Sequence, residues 1–460
     1  MIKKVLIANR GEIAVRIIRA CHELGIETVA IYSKADADAL HVMLANEAIC
    51  VGNAKSSESY LNKVAILSAA IVTGADAIHP GFGFLSENAD FAKMCQELNI
   101  AFIGPAASVI DLMGNKANAR ETMQKAGVPV IPGSPKSLIS TEDALYWANE
   151  IGYPIMLKAV SGGGGKGMRK VYTSDELVLA FQTAQAEALA AFGDNRMYLE
   201  KIISPARHIE IQILADKHGH VIHLGERDCS LQRHHQKVLE ESPSPYLDAM
   251  LREKMGESAV KAATYVGYEN AGTIEFLVDE EKNYYFMEMN TRIQVEHPVT
   301  EMATDIDIVK WQLRIAGGEM LTVQQKDVAL TGHTIECRIN AENPSKHFMP
   351  SCGTLTFLNL PSGCNGLRVE TAMYQEYTIP PFYDAMVAKI IVKDDTREKA
   401  IRKMQRALSE LFIEGIDTNI TFQEAILQDE AFLENRFDIE YLERSFLETF
   451  HKKHSIQKSQ

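Results

Sequence analysis

Short apolar runs alternate with helical stripes over the first hundred residues. Residues 4–8 have the composition of a buried strand, and residues 11–24 carry apolar side chains at the spacing of one helix face. Gly25 ends that helix, and residues 27–32 form the next strand. The alternation continues with a helix at 60–68, a strand at 75–79, a helix at 86–97 and a strand at 101–103. This order predicts an α/β domain built on a parallel sheet.

The composition of the chain changes after a predicted connecting helix at 108–126. A Pro- and Gly-rich segment at 127–134 predicts a domain boundary. Residues 131–203 resemble a small α/β unit, with helices at 141–150 and 174–190 and strands at 154–160, 168–172 and 197–202. More strands follow in 204–325, and a third region has strands near 333–339, 354–358 and 386–392 and a helix at 396–411. The polar end from His451 is expected to fray.

Two acidic side chains fall on one predicted strand pair. Alternating apolar residues around Glu275 place it on the polar face of a strand, and a turn at 280–283 leads to a second strand that ends near Glu288. If Asp279 pairs with Tyr284, Glu275 lies opposite Glu288, which is unfavourable without a cation. Asn290 shares the face of Glu288. These oxygens suit Mg²⁺ held beside phosphates; the alternative is a solvated hairpin face.

A glycine run at 161–167 lies between two predicted strands. Its GxGxxG match is weak, because a dinucleotide site needs a strand before the glycines and a helix after them. A flap whose N–H groups close over phosphates is favoured, and a flexible surface turn is the alternative. Lys158 precedes the run and could reach a phosphate or snorkel to water. Glu200 could bond a base edge, although a solvated strand end is the simpler interpretation.

A basic stretch from Arg227 to Lys237 stands out in an acidic protein. Cys229 with His234 and His235 lacks further ligands at zinc spacing, so an anion-binding loop is favoured over a metal site, with a solvated charge run as the alternative.

Polar residues continue the period-two phase beyond Asn290. Arg292, Gln294 and Glu296 would combine a bidentate donor, an amide and a carboxylate, a set suited to bicarbonate or another small oxyanion. Beside Arg292, Glu296 would stay ionised and could accept a proton. The alternative is a structural ion pair.

Composition narrows the class of protein. The chain has 460 residues and a formal net charge of −14, which argues against a general binder of nucleic acid or anionic membranes. Seven cysteines without a CxxC pair fit reduced thiols. The apolar run near the start is too short for a signal peptide, and no apolar stretch is long enough to span a membrane. A cytoplasmic location is expected.

With these residues in view, the sequence closely resembles biotin carboxylase, a member of the ATP-grasp ligases. The motifs that carry the resemblance are Ile7–Ala14, His79–Asn88, the glycine flap, Glu226–Arg233, Glu288–Glu301 and Glu336–Glu342. The resemblance implies an α+β ATP-grasp protein in which an amino-terminal parallel-sheet α/β domain occupies 1–115. An ATP-grasp domain would occupy 116–330 with a mobile lid at about 131–203, followed by a carboxy-terminal α/β domain at 331–446 and a polar tail at 447–460.

The resemblance also assigns roles to matching residues. Those expected to hold ATP are Lys116, Lys158, Gly164, Gly165, Glu200, Lys201, Ile202, Ile203, His208, Gln232, His235, Glu275 and Glu288. Mg²⁺ or Mn²⁺ would be held by Glu275, Glu288 and Asn290. Bicarbonate would be bound by Lys237, Arg292, Gln294 and the backbone of Val295, with Glu296 as its base. Biotin would meet Arg338, which stabilises the ureido oxygen, and Phe82, which stands where some bacterial members have Tyr.

The implied reaction begins when bicarbonate attacks the γ-phosphate of ATP to form carboxyphosphate, whose CO₂ then carboxylates biotin. No Met-Lys-Met biotinylation sequence occurs, so biotin is expected on a separate carrier protein. The expected role is the first half-reaction of acetyl-CoA carboxylase in fatty acid synthesis, with carboxyltransferase partners and a homodimeric assembly. A pyruvate or propionyl-CoA carboxylase subunit is the alternative. A carbamoyl-phosphate-type ligase and a nucleotide-binding scaffold without turnover are the rival classes.

Overall fold

The computed structural model describes residues 2–160 and 167–456. The chain divides into two compact units. Unit 1 consists of Met1–Gly114, Arg207–Glu275 and Met289–Gln460, and unit 2 consists of Asn115–Ala206 and Phe276–Glu288.

The strands and helices are numbered in chain order. The strands are β1 Lys4–Ile7, β2 Glu27–Ser33, β3 Glu47–Gly52, β4 Ala77–His79, β5 Ala101–Phe102, β6 Ile155–Ala159, β7 Met168–Val171, β8 Met197–Lys201, β9 Arg207–Ala215, β10 Val221–Arg233, β11 Gln236–Ser242, β12 Asn270–Val278, β13 Tyr284–Asn290, β14 His333–Asn340, β15 Glu342–Asn343, β16 Met349–Pro350, β17 Gly353–Thr354, β18 Phe357–Asn359, β19 Leu367–Thr371, β20 Thr378–Ile379, β21 Met386–Asp394 and β22 Phe412–Glu414. The helices are α1 Gly11–Glu23, α2 Leu40–Leu44, α3 Lys63–Thr73, α4 Ala89–Glu97, α5 Ala107–Gly114, α6 Lys116–Lys125, α7 Thr141–Ile151, α8 Ser174–Phe192, α9 Ala249–Tyr265, α10 His297–Thr304, α11 Ile308–Ala316, α12 Arg397–Ser409, α13 Ile420–Ile426, α14 Glu430–Leu433 and α15 Leu447–Ile456.

The predicted amino-terminal parallel sheet is present in unit 1. Its strand order is β3-β2-β1-β4-β5, and the pairs around β1 are parallel. Val5, Leu6 and Ile7 of β1 are all fully buried, because apolar clusters cover both faces of the sheet. A continuous apolar run is what a strand covered on both faces requires.

A second sheet of unit 1 has the order β12-β9-β10-β11-β14-β21-β19. The pairs from β9 through β19 are antiparallel. On β9, Ile209, Ile211 and Ile213 alternate with polar residues, yet every residue of the strand is buried. The polar face is therefore covered by protein and must be satisfied by partners in the protein interior.

Unit 2 contains a small sheet with the order β7-β6-β8. Ile155, Leu157 and Ala159 of β6 are buried in a cluster with residues of α7 and α8, whereas Met156 and Lys158 are half-buried on the other face. This alternation follows from a strand with helices on one side only.

Two local predictions, one about the connecting helix and one about the hairpin turn, were wrong. The connecting helix is two helices, α5 and α6, because the Asn115 side chain accepts a hydrogen bond from Asn118 N–H and caps a new helix. Helix α15 extends from Leu447 to Ile456 and so includes part of the polar end from His451. The hairpin turn closes when Asp279 N–H donates to Asn283 O at 3.0 Å rather than through an Asp279–Tyr284 pair, so the turn does not by itself place Glu275 opposite Glu288.

In the described ranges, every helix is too short or too polar to cross a lipid bilayer.

Candidate active site

The ammonium of Lys237 lies at the centre of a buried cluster in unit 1. Its Nζ donates to Glu210 Oε2 at 2.5 Å, to Glu275 Oε1 at 2.8 Å and to Glu296 Oε1 at 2.6 Å. The lysine is on β11, and its partners come from β9, from β12 and from the turn before α10. Burial disfavours the charged amine, but the carboxylates outweigh that effect and raise the pKa of Lys237 well above its usual value. The cluster therefore holds a permanent cation.

Glu296 is clamped between two cations. Besides Lys237 on Oε1, Arg338 Nη2 of β14 donates to Glu296 Oε2 at 2.9 Å. Burial and nearby Glu210 raise the pKa of Glu296, whereas Lys237, Arg338 and Arg227 lower it, and the result lies below its usual value. An ionised carboxylate with both oxygens oriented is equipped to accept a proton from an acid bound beside it.

Two charged residues of the cluster were not predicted as site residues. Arg227 of β10 is fully buried, and its Nε donates to Glu210 Oε1. The same guanidinium reaches Thr300 Oγ1 at 2.8 Å and Gln294 Oε1 at 3.3 Å. Glu210 had a detectable signal, because His208, Glu210 and Gln212 alternate with isoleucines and so share one strand face.

Correspondingly, most of the basic stretch from Arg227 to Lys237 is not the predicted anion-binding loop. Its residues belong to the antiparallel strands β10 and β11, which leave only His234 and His235 at the connecting turn. Both histidines are exposed and adopt positive φ angles of 50° and 62°.

Polar side chains from the 290–296 segment complete the cluster. Asn290 Nδ2 and Gln294 Nε2 both donate to Glu275 Oε1, each at 2.9 Å. The prediction of a continuing strand was wrong, because β13 ends at Asn290 and a turn follows. Gln294 and Glu296 nevertheless point into the same cluster.

Arg292 does not pair with Glu296 as predicted. Its Nε donates to Glu87 Oε2 at 2.9 Å, and its Nη2 donates to Asn290 Oδ1 at 3.0 Å. Lys237 and Arg338 take the expected role of Arg292 because strands distant in sequence bring them to Glu296.

His208 and Gln232 extend the cluster along β9 and β10. Gln232 Nε2 lies 3.1 Å from His208 Nδ1, and His208 Nε2 lies 3.3 Å from Glu275 Oε2. Burial lowers the pKa of His208, but Glu275 and Glu210 outweigh this and raise it to about 9.

A second acidic pair lies behind Arg338. Glu240 on β11 is directly opposite Glu336 on β14, and Arg338 Nε donates to Glu240 Oε1 at 2.6 Å. Burial raises the pKa of Glu240 to about 7 and that of Glu336 well above its usual value. In the described chain neither oxygen of Glu336 has a hydrogen-bond partner, which fits a protonated carboxyl.

In unit 2, the predicted nucleotide residues lie on β6 and β8. Lys158 pairs with Glu200 across the polar face of the small sheet. The Lys201 ammonium donates to Gly152 O and Tyr153 O at 2.9 and 2.8 Å, and Ile202 N–H donates to Pro154 O at 3.0 Å. Lys201 is therefore tied to the backbone of its own unit.

Lys116 and Glu288 form a more open pair in unit 2. Lys116 Nζ, at the start of α6, lies 3.5 Å from Glu288 Oε2 of β13. Their side chains are 64% and 38% exposed. Such a pair contributes little stability in water and leaves both groups accessible to a ligand.

Four further residues were predicted to contact ATP or biotin. Gly164 and Gly165 lie outside the described residues. Phe82 is half-buried in unit 1, where Asn9 Nδ2 donates to its backbone carbonyl at 2.7 Å. Ile203 is half-buried after β8.

The residues predicted to hold a divalent cation offer oxygen donors from two consecutive strands. Glu275 is on β12, and Glu288 and Asn290 are two residues apart on β13. Asn290 Oδ1 faces Arg292, and a 180° rotation of the amide would turn this oxygen toward Glu275. Carboxylate and amide oxygens fit Mg²⁺, so the residues present are compatible with that ion.

Three family models together match most of the chain. Residues 1–110 match the model described as biotin carboxylase, N-terminal domain, and residues 336–444 match the biotin carboxylase C-terminal domain. Residues 115–324 match the ATP binding domain of the carbamoyl-phosphate synthase L chain.

Full-length relatives agree with these matches. Biotin carboxylase 1 of Bacillus subtilis (strain 168) is 58% identical over 444 residues, covering 96% of this chain and 98% of the relative. A biotin carboxylase complex from Campylobacter jejuni is 50% identical with a TM-score of 0.92, and covers 96% of this chain and 99% of that one. The biotin carboxylase domain dimer of Hydrogenobacter thermophilus 2-oxoglutarate carboxylase, in complex with MgADP, ADP and bicarbonate, is 52% identical with a TM-score of 0.90, and covers 96% and 97% of the two chains.

Proposed function

Because this chain belongs to the biotin carboxylase family and is an ATP-dependent carboxylase of α/β, ATP-grasp fold, we propose that it carboxylates biotin on a separate carrier protein with ATP, Mg²⁺ and bicarbonate. One observation carries the assignment of the chemistry to particular residues. Glu296 is held on one oxygen by Lys237 and on the other by Arg338. A buried base between two permanent cations suits an anionic substrate that must lose a proton.

In the first step, bicarbonate binds against Lys237, Arg292, Gln294 and the backbone of Val295. Glu296 accepts its proton, and the carbonate oxygen attacks the γ-phosphorus of ATP. The bond to the ADP oxygen breaks, giving carboxyphosphate and ADP. Placement of the reactants and neutralisation of charge account for most catalysis of phosphoryl transfer.

In the second step, carboxyphosphate splits into CO₂ and phosphate. The released phosphate removes the proton from the ureido nitrogen of biotin, and that nitrogen attacks CO₂ to form the new C–N bond. Arg338 stabilises the negative charge on the ureido oxygen, and Phe82 supplies an apolar surface. Exclusion of water by the lid would protect both intermediates.

The ATP-binding residues are proposed from the family to which the chain belongs. We assign this role to Lys116, Lys158, Gly164, Gly165, Glu200, Lys201, Ile202, Ile203, His208, Gln232, His235, Glu275 and Glu288. Glu275, Glu288 and Asn290 would hold Mg²⁺, which when bound neutralises charge on the phosphates.

We assign the chain to the first half-reaction of acetyl-CoA carboxylase, with a biotin carrier and carboxyltransferase subunits as partners, in a cytoplasmic homodimer. The dimeric state of the Hydrogenobacter thermophilus domain supports the oligomer. The same relative belongs to a 2-oxoglutarate carboxylase, which keeps a keto-acid carboxylase such as pyruvate carboxylase, or a propionyl-CoA carboxylase, as the alternative assembly.

The four-part division at 1–115, 116–330, 331–446 and 447–460 is likewise a proposal. The ranges of the three family models, which fall within or close to the first three parts, support it.

The direct test is carboxylation of free biotin by the purified chain with ATP, Mg²⁺ and bicarbonate. We expect ADP release that requires bicarbonate and rises with biotin. Release that rises with ammonium instead would indicate a carbamoyl-phosphate-type ligase. Bound ATP with no ADP in a single turnover would indicate a scaffold.

The role of Arg338 can be separated from the earlier step. Arg338→Gln should lower biotin carboxylation more than bicarbonate-dependent ATP cleavage, because Lys237 still holds the Glu296 carboxylate, whereas no other cation is assigned to the ureido oxygen. Equal loss of both rates would contradict this assignment.

A further inference from the structure

His297 fixes the carbonyl group that precedes Val295. Its side chain is fully buried, and Nδ1 lies 2.7 Å from Gln294 O. A carbonyl oxygen can only accept, so Nδ1 carries the hydrogen. No described residue hydrogen-bonds to Nε2, which lies 4.0 Å from Glu301 Oε2. The ring is thus committed to one carbonyl through one nitrogen.

Lys389 fixes the next carbonyl along the chain. This fully buried lysine of β21 donates from Nζ to Val295 O at 2.7 Å and forms an ion pair with Glu12 Oε1 at 3.1 Å. Lys389 is directly opposite Arg338 of β14 in the sheet register, and Arg338 holds the Glu296 side chain. Lys389 and Arg338, which lie opposite each other on β21 and β14, therefore hold the Val295 carbonyl and the Glu296 side chain, two successive groups of one turn.

These contacts determine where the Val295 N–H points. In a trans peptide, the carbonyl and the N–H point in opposite directions. His297 holds Gln294 O, so the N–H in the same peptide faces away from the imidazole. Across residues 2–160 and 167–456, no group accepts a hydrogen bond from it. Along the chain it lies between the side chains of Gln294 and Glu296, both of which enter the Lys237 cluster.

We propose that His297 and the Lys389–Glu12 pair are positioning residues that aim the Val295 N–H at bicarbonate. The inference rests on the proposed function and extends it to residues that do not touch the substrate. The oriented N–H supplies a donor to an anion whose proton leaves toward Glu296. A donor fixed in advance needs no rearrangement when bicarbonate binds.

A positioning role predicts a selective change in one kinetic constant, the KM for bicarbonate. Loss of the His297 contact should let the Gln294–Val295 peptide rotate, and loss of the Lys389 contact should let the adjoining Val295–Glu296 peptide move. Either change should weaken the site for bicarbonate. ATP and biotin, which have other contacts, should keep their KM values. A role in packing alone would lower stability, or kcat for all substrates, without a selective change in the KM for bicarbonate.

The first test compares three replacements of His297. Leu removes the donor, Asn places an amide nitrogen near the position of Nδ1, and Gln places one near Nε2. We expect His297→Leu and His297→Gln to raise the KM for bicarbonate by roughly tenfold, the equivalent of one hydrogen bond, and His297→Asn to restore it. Equal KM values for Asn and Gln variants would overturn the role of Nδ1.

His41 offers a matched control. It is also fully buried, with Nε2 3.2 Å from Ile31 O and Nδ1 lacking a hydrogen-bond partner in the described chain. His41→Leu should reproduce the loss of stability without the change in the KM for bicarbonate. A similar KM change in both leucine variants would mean that the effect is general, and would overturn the inference.

The second test removes the lysine together with its counter-ion. Lys389→Met alone leaves Glu12 buried without a cation, whereas Glu12→Gln with Lys389→Met keeps the charge balanced. We expect the double variant to fold and to show a KM for bicarbonate raised roughly tenfold, with the KM for ATP unchanged. A KM for bicarbonate within about twofold of the parent would remove Lys389 from the proposal.

Assays of the parent chain distinguish a failure of the proposed function from a failure of the positioning role. Absence of bicarbonate-dependent ADP release in the parent would count against the proposed function itself. Normal parent activity with unaltered KM values in the variants would overturn the positioning role alone.

Discussion

Two groups of charged residues, one in each unit, are held in opposite ways. In unit 1 the Lys237 side chain is 13% exposed and contacts three carboxylates, none more than 5% exposed. In unit 2 Lys116 and Glu288 are 64% and 38% exposed, and 3.5 Å separates their charged atoms. The first group is assembled before any ligand arrives, whereas the second keeps its charges available.

The difference follows from where the residues lie. The Lys237 cluster is covered on the face of a large antiparallel sheet, where an unpaired charge would be very unfavourable. Lys116 lies at the start of a helix, and water can solvate it without a partner. A buried set of charges can orient a small anion and its base, and an open set can respond to a large polyanion such as a nucleotide.

The strongest test of the assembled cluster is Glu296→Gln. Glutamine keeps the shape but cannot accept the proton, so we expect bicarbonate-dependent ATP cleavage to fall by roughly 10²- to 10⁴-fold. ADP release with saturating bicarbonate measures the change. Retention of near-parental kcat would mean that another group is the base.

Removal of the Lys237 ammonium should lower the free energy of unfolding far more than removal of the Lys116 ammonium. Lys237→Met leaves Glu210, Glu275 and Glu296 without their shared partner, and we expect a loss of about 3–5 kcal/mol in the free energy of unfolding. Lys116→Met should change it by at most about 1 kcal/mol, as for other exposed pairs.

Urea unfolding of both methionine variants measures this difference. Similar changes for the two would show that burial does not distinguish the clusters. The Lys116 variant is the matched control, because it removes the same ammonium at an exposed position.

Sequence reasoning succeeded where the relevant pattern was local. The apolar run at residues 4–8 predicts a buried strand, and this is confirmed, because Val5, Leu6 and Ile7 of β1 are fully buried. Glu275 and Asn290 do meet, because they lie on consecutive strands.

It failed where distant strands had to be combined. The sequence paired Arg292 with Glu296 because they are near neighbours, but Arg338, 42 residues further on, makes that contact. Arg227 was assigned to an anion-binding loop because a dense basic stretch stands out in an acidic chain, and burial of β10 became evident only with the sheet. Sheet order is set by packing of whole faces, and local spacing does not encode it.

The open group of unit 2 can be tested through the cation it is proposed to bind. Glu288→Gln removes a proposed carboxylate ligand. Loss of a residue that only supports a metal ligand typically lowers metal affinity by roughly 10- to 100-fold. We therefore expect the Mg²⁺ concentration for half-maximal activity to rise by at least that factor. A titration of ADP release against Mg²⁺ measures it. Glu280→Gln, on the exposed hairpin turn, is the control; equal titrations would remove Glu288 from the ligand set.

The smallest expected effect concerns the acidic pair behind the cluster. Burial raises the pKa of Glu336 well above its usual value, so the folded state retains a proton that the unfolded chain releases. Between those two pKa values the folded state binds more protons, and its stability falls as pH rises by up to about 1.4 kcal/mol per pH unit. Glu336→Gln cannot ionise and should lose this slope.

The free energies of unfolding at about pH 6 and about pH 8 give the slope for parent and variant. Glu257→Gln, on the exposed face of α9, controls for the loss of one acidic group. If the Glu336 variant kept the parental slope, the proton would belong to another group, with Glu240 directly opposite as the first candidate. If the variant is more stable than the parent at the higher pH, burial of Glu336 destabilises the folded state. The neighbouring cations Arg338 and Lys389 then offset this destabilisation only in part.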